Sequence, residues 1–129
     1  MINLYINERH EGIVTVLDLK GRIRIGGVTI ALHKAIRCLV SEGKNQILLN
    51  LAGVSHIDSS GLGELISSHV SLSNEGGTIK LVHLTESLRE LMTITRLLAV
   101  FDVYDDEPEA LESFAGQVVR IPKAQAFFV

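Results

Sequence analysis

The chain has no tryptophan, one cysteine and two prolines in 129 residues. A lone cysteine, Cys38, excludes an internal disulfide and any metal cluster built from several thiolates. It lies in a stretch of helical period, which predicts a small buried hydrophobe at that position. No apolar run approaches the ~20 residues that span a bilayer. The first ten residues alternate and carry charge, unlike a secretory leader with its basic start and continuous apolar stretch. A cytoplasmic location without membrane insertion is therefore expected. An excess of positive charge is also missing: Lys and Arg number 12 against 15 Asp and Glu, a net charge of −3. Without a cationic face to neutralise phosphates, nucleic-acid binding is the weakest candidate function.

What is present suits a single core. A 14.1 kDa chain with 47% hydrophobic residues can bury one such core but not two. Leu4 to Glu8 and Ile13 to Leu19 are rich in β-branched residues and flank His10-Glu11-Gly12, as in a hairpin. Arg22 to Gly27 reads as a loop, with Gly21, Gly26 and Gly27 as turn residues free to take positive φ. Leu32, Ala35, Ile36, Leu39 and Val40 then recur at helical spacing, and Ser41-Glu42-Gly43 closes that helix.

Gln46 to Leu51 is nearly all apolar, as a strand covered on both faces requires. A second helix is predicted from Gly61 to Asn74. Its spacing places Leu62, Leu65, Ile66, His69 and Val70 inward, and Glu64, Ser67, Ser68 and Ser71 mainly outward. Further elements are a strand over Thr78 to Leu84, a helix over Glu86 to Thr95, a strand over Val100 to Tyr104 and a helix over Glu107 to Phe114. Strands separated by helices imply crossover connections and a partly parallel sheet, so the fold class is mixed α/β. Residues 115–129 stand apart. Val118 to Ile121 suits an added strand, and Ala126 to Val129 is an apolar end suited to docking on this domain or on a partner.

Known catalytic patterns are absent. A nucleophile elbow needs glycine two positions before its serine, but Asp58 stands there for Ser60 and Ile57 for Ser59. Histidines 10, 33, 56, 69 and 83 are scattered and never form the helical zinc-binding pair. His56, next to Ile57 and on the same side of a strand as Asp58, is closest to the polar cluster below. The phosphate-loop pattern does not occur, and Gly61-Leu62-Gly63 lacks the third glycine of a dinucleotide site. No cofactor or metal is expected, and the chain reads as a substrate and binding surface, not an enzyme.

The densest chemistry lies in Ile57-Asp58-Ser59-Ser60-Gly61-Leu62-Gly63, between a strand and a helix. Helix N-termini leave backbone N–H groups unpaired and carry partial positive charge, so hydroxyls and anions are stabilised there. Asp, Ser and Gly are also ordinary capping residues, which is the simplest account of the cluster.

Val54 to Gly63 closely resembles the signature of STAS domains, in particular bacterial anti-sigma factor antagonists. The resemblance extends from about Leu4 to Phe114 in element order, and includes Gly21, the Leu49-Asn50-Leu51 approach and the Gly76 to Leu81 stretch. It implies a STAS domain over residues 1–114, with residues 115–129 as an extension. The implied fold is a mixed sheet of about five strands, an initial hairpin followed by βα units, packed against about four helices. It further implies that Ser60, the serine before the first glycine, is phosphorylated. The kinase would be an anti-sigma factor, a serine phosphatase would reverse the reaction, and the unmodified protein would free a sigma factor for transcription. Asp58, Ser59, Gly61, Leu62 and Gly63 would support the phosphosite or meet the partner. Arg22 to Gly27 departs from the Asp/Asn-containing segment of typical antagonists. The alternative is an unswitched STAS scaffold, as in a stressosome or a lipid-transport complex, with Ser60 merely capping the helix.

Overall fold

The structure, a computed structural model, describes residues 4–23 and 27–115. Strand β1 (Leu4–Glu11) pairs antiparallel with β2 (Val14–Ile23) across a turn in which Gly12 takes φ 64°. Helix α1 (Gly27–Ser41), β3 (Gln46–Ile57), α2 (Ser59–Asn74), β4 (Thr78–Val82), α3 (Glu86–Ile94), a 3-10 turn over Leu97–Ala99 and β5 (Asp102–Tyr104) follow. A last helix, α4, spans 107–115. The five strands lie in the order β1-β2-β3-β4-β5, and every pairing after the first is parallel. The mixed sheet with four helices is the fold class predicted from the sequence.

Parallel neighbours joined in sequence by right-handed crossovers must carry all their helices on one face. Leu17, Leu19, Ile47, Leu49, Leu51, Ile79 and Leu81 accordingly pack with Leu32, Ile36, Leu65, Leu72, Leu88 and Met92 from α1, α2 and α3. The opposite face carries a smaller core of Val14, Val16, Leu48 and Val82 under Ala110 and Phe114 of α4. The continuous apolar run in β3 thus does serve two faces.

Tertiary contacts overrule several local expectations. The hairpin strands are longer than their apolar patterns suggest, because pairing continues to Glu11 and Ile23. Arg22 and Ile23 belong to β2 and not to a loop, and Ile23 is completely buried. Gly21 does have positive φ, 120°, but inside β2 beside a shift in register instead of in a turn. Gly27 opens α1, while Gly26 and the expected strand at 118–121 fall outside the described residues, as does the apolar end at 126–129. Strand β4 stops at Val82, because the next residue, His83, takes a left-handed φ of 59° and leaves the extended path. Strand β5 starts at Asp102, after the 3-10 turn. Cys38 is exposed, not buried, because α1 turns Ile36 and Leu39 toward the sheet.

Two polar links hold α4 across its face. The Arg9 guanidinium bonds Asp18 at 2.6 and 2.9 Å and Glu107 at 2.6 and 3.2 Å. Lys80 is buried, its Nζ donating to Ser113 Oγ at 2.9 Å and lying 4.9 Å from the Phe114 ring centre. Hydrogen bonding by Arg9, opposed by burial and aided by Asn50 and Asn7, pulls the Asp18 carboxyl down to about 2. A carboxyl lowered on folding stabilises the native state above its unfolded value near 4, and that contribution disappears as pH falls toward about 2. For a pair whose side chains are 33% and 27% exposed, the contribution is on the order of 1–2 kcal/mol. Thermal melts between pH 5 and 2 are expected to fall more steeply for the wild type than for Asp18→Asn. Parallel curves would show that the pair contributes nothing.

Candidate functional site

The site forms where β3 hands over to α2. Ile57 ends the strand buried, opposite Ile23 in the parallel register. Asp58 is then extended (φ −105°, ψ −177°), and its N–H donates to Ile23 O at 3.2 Å. Its carboxylate accepts from the Gly61 N–H at 2.8 Å, and its carbonyl accepts from Leu62 N–H at 2.9 Å. Asp58 is therefore the N-cap of α2. The helix starts at Ser59, two residues before the position expected from apolar periodicity, because a cap and a first turn need no apolar residue.

Ser60 consequently sits in the first turn and is not the cap. It is half-buried, whereas Ser59 is exposed. Successive helical residues point about 100° apart, so the two hydroxyls present themselves in different directions.

The two glycines differ in cause. A Cβ on Gly61 would lie 2.5 Å from Ile23 O and 2.8 Å from side-chain carbons of Ile23 and Ile57. Gly61 is thus required by the close approach of α2 to the end of β2. A Cβ on Gly63 would meet nothing within 4 Å, and the residue is exposed. Leu62 between them is buried in the main core. The structure thus brings Asp58 and Gly61 into direct contact, leaves Ser59 and Gly63 on the surface, and turns Leu62 inward.

The expected faces of α2 fail at two places. Ser68 is 3% exposed and Val70 is 49% exposed, the reverse of the predicted faces. The Ser68 hydroxyl donates to Glu64 Oε2 at 2.7 Å, and the same oxygen lies 3.0 Å from His33 Nδ1 on α1. Intrahelical spacing hints at Glu64 and Ser68, but nothing in the sequence brings His33 to them. The carboxylate stands between serine and imidazole, so the imidazole does not contact the hydroxyl as the base of a serine–histidine pair would. His69 instead packs against Phe101 in a tilted arrangement, with ring centres 4.9 Å apart, and His56 is exposed beside the site. Among the described residues no group of three or more His, Cys, Asp or Glu is placed to hold a metal ion. No helix among them is long and apolar enough to cross a membrane.

A strand-to-helix junction of this kind, in this sheet order, has known counterparts. The STAS domain profile matches residues 5–110. The chain belongs to the STAS domain family. It is 37% identical over 78 residues to a candidate anti-sigma factor antagonist of Thermotoga neapolitana, covering 60% of this chain and 69% of that protein. It is 29% identical over 87 residues to the anti-sigma-B factor antagonist of Bacillus subtilis, covering 67% of this chain and 78% of that protein. The crystal structure of a candidate anti-sigma factor antagonist from Thermotoga maritima superposes with a TM-score of 0.75 at 26% identity, covering 84% of this chain and 92% of that one.

Proposed function

We propose that this STAS domain is a phosphorylation-switched anti-sigma factor antagonist. In this reading the free Ser60 surface docks on an anti-sigma factor with serine kinase activity, and so releases a sigma factor. The observation that carries the reading is Gly63. Glycine in a helix costs up to about 1 kcal/mol relative to alanine, and here no contact of the fold requires it. A surface kept bare one turn from Ser59 and Ser60 suits close approach by another protein's active site. The names of the relatives point to the same class of partner.

Phosphate on Ser60 adds about −1.5 to −2 charges. At the second helical position it faces the positive end of the helix dipole, so it is tolerated by the fold. The switch therefore acts at the docking surface, by repulsion and desolvation, and not by unfolding. A serine phosphatase would restore the docking form. The domain acts as substrate and binding surface, with no catalytic role.

Incubation with a cognate anti-sigma factor kinase and ATP, followed by fragmentation mass spectrometry, is expected to place the phosphate on Ser60. Phosphate on the more exposed Ser59, or none, would overturn the assignment. Asp58 offers a second check, because its cap and its charge can be separated. Asp58→Ala is expected to cost about 0.5–2 kcal/mol of stability, whereas Asp58→Asn keeps the cap acceptor and the melting temperature. If the carboxylate charge serves the kinase, Asp58→Asn loses most phosphorylation while fully native. Wild-type phosphorylation of Asp58→Asn would leave Asp58 a cap alone.

A further inference from the structure

The polar chain His33–Glu64–Ser68 has no part in the switch described above, yet it starts one helical turn from Ser60. Residues four apart on a helix are neighbours, and long side chains lean toward the helix N-terminus, which for Glu64 is the Ser60 end. Glu64 is held from both sides: Ser68 Oγ donates to its Oε2 at 2.7 Å, and His33 Nδ1 lies 3.0 Å from that oxygen. The Glu64 side chain is only 14% exposed, so its charge is weakly screened compared with a free surface carboxylate. A second link between the same helices, Arg37 to Glu75 at 2.9 Å, stands at the far end of α2 and is solvent-exposed on both sides.

We propose that Glu64 relays the charge state of Ser60 to α1 through His33. A phosphate on Ser60 and the Glu64 carboxylate are like charges at the (i, i+4) spacing and repel. Glu64 cannot rotate away without losing the buried Ser68 hydroxyl, so the strain is taken up at its other partner, His33. The His33 end of α1, with the exposed Ile30 one turn before it, thereby changes position or contact when Ser60 is phosphorylated. Glu64 and His33 are positioning residues in this scheme, and the partner reads α1 together with the first turn of α2. The inference rests on Ser60 being the modified residue, but its test does not depend on any kinase.

Protein carrying phosphoserine at position 60, introduced during translation, is compared with the unmodified chain by backbone amide NMR. Shifts larger than the linewidth are expected in residues 30–34 of α1, and smaller ones around Arg37. In Glu64→Gln, which retains an acceptor for Ser68, and in His33→Ala, the α1 shifts are expected to vanish while those of residues 58–63 remain. Melting curves confirm that both variants are native. Shifts confined to residues 58–63 in the wild type, or α1 shifts that survive Glu64→Gln, overturn the relay. Absence of phosphate on Ser60 in the kinase experiment overturns the switch and leaves this coupling measured independently.

Discussion

Gly61→Ala is expected to destabilise the domain by about 2 kcal/mol, whereas Gly63→Ala stabilises it by up to about 1 kcal/mol. The new Cβ at position 61 would sit 2.5 Å from a backbone carbonyl, that of Ile23, which cannot swing aside as a flexible side chain could. Helix propensity offsets part of that cost, but the first turn must still lift from β2. At position 63 the Cβ meets open space, so only the propensity gain remains. In a domain of this size the two variants should melt several degrees apart on opposite sides of the wild type. Binding is expected to invert the order of concern: Gly63→Ala weakens anti-sigma factor docking although it strengthens the fold. Wild-type affinity in the more stable Gly63→Ala variant would remove the main support for a docking surface at this helix start.

Ser60→Asp is expected to bind the anti-sigma factor at least about tenfold more weakly than Ser60→Ala, a difference of roughly 1.4 kcal/mol. Both variants occupy the first turn of α2, where a carboxylate complements the dipole, so Ser60→Asp should be no less stable than Ser60→Ala. Loss of affinity without loss of stability separates charge repulsion at an interface from damage to the domain. Calorimetric titration of each variant, with melts alongside, reads both quantities. Equal affinities would sink the charge mechanism even if Ser60 proved to be phosphorylated.

The candidate site segment was legible because its residue types are unusual in combination: two serines and two glycines between an apolar strand and an apolar-periodic helix. The reason for each residue was not. Asp58 and Ser60 looked interchangeable as caps, and only the backbone path, with Gly61 N–H directed at Asp58 Oδ1, separates them. Gly61 and Gly63 looked alike, and only the position of Ile23 against the first turn distinguishes one as required and the other as free. On α2, a periodicity judged by apolar residues alone could not foresee a buried serine, because Ser68 is admitted to the interior by its bond to Glu64.

The sequence by itself determined the alternation of strands and helices, the initial hairpin, the two-faced burial of β3 and the location of the polar junction. These depend on local periodicity, turn residues and caps, which act over a few neighbours. Tertiary structure decided where strands end, which glycines are obligatory, and that His33 meets Glu64 across 31 residues of chain. It also decided that Cys38 faces solvent and that α4 covers the far side of the sheet, pinned by Arg9 and Lys80. Those outcomes arise from pairing and packing between elements distant in sequence. There, a hydrogen bond, or the clash that any side chain at position 61 would make, outweighs the few tenths of a kcal/mol by which local propensity favours one arrangement over another.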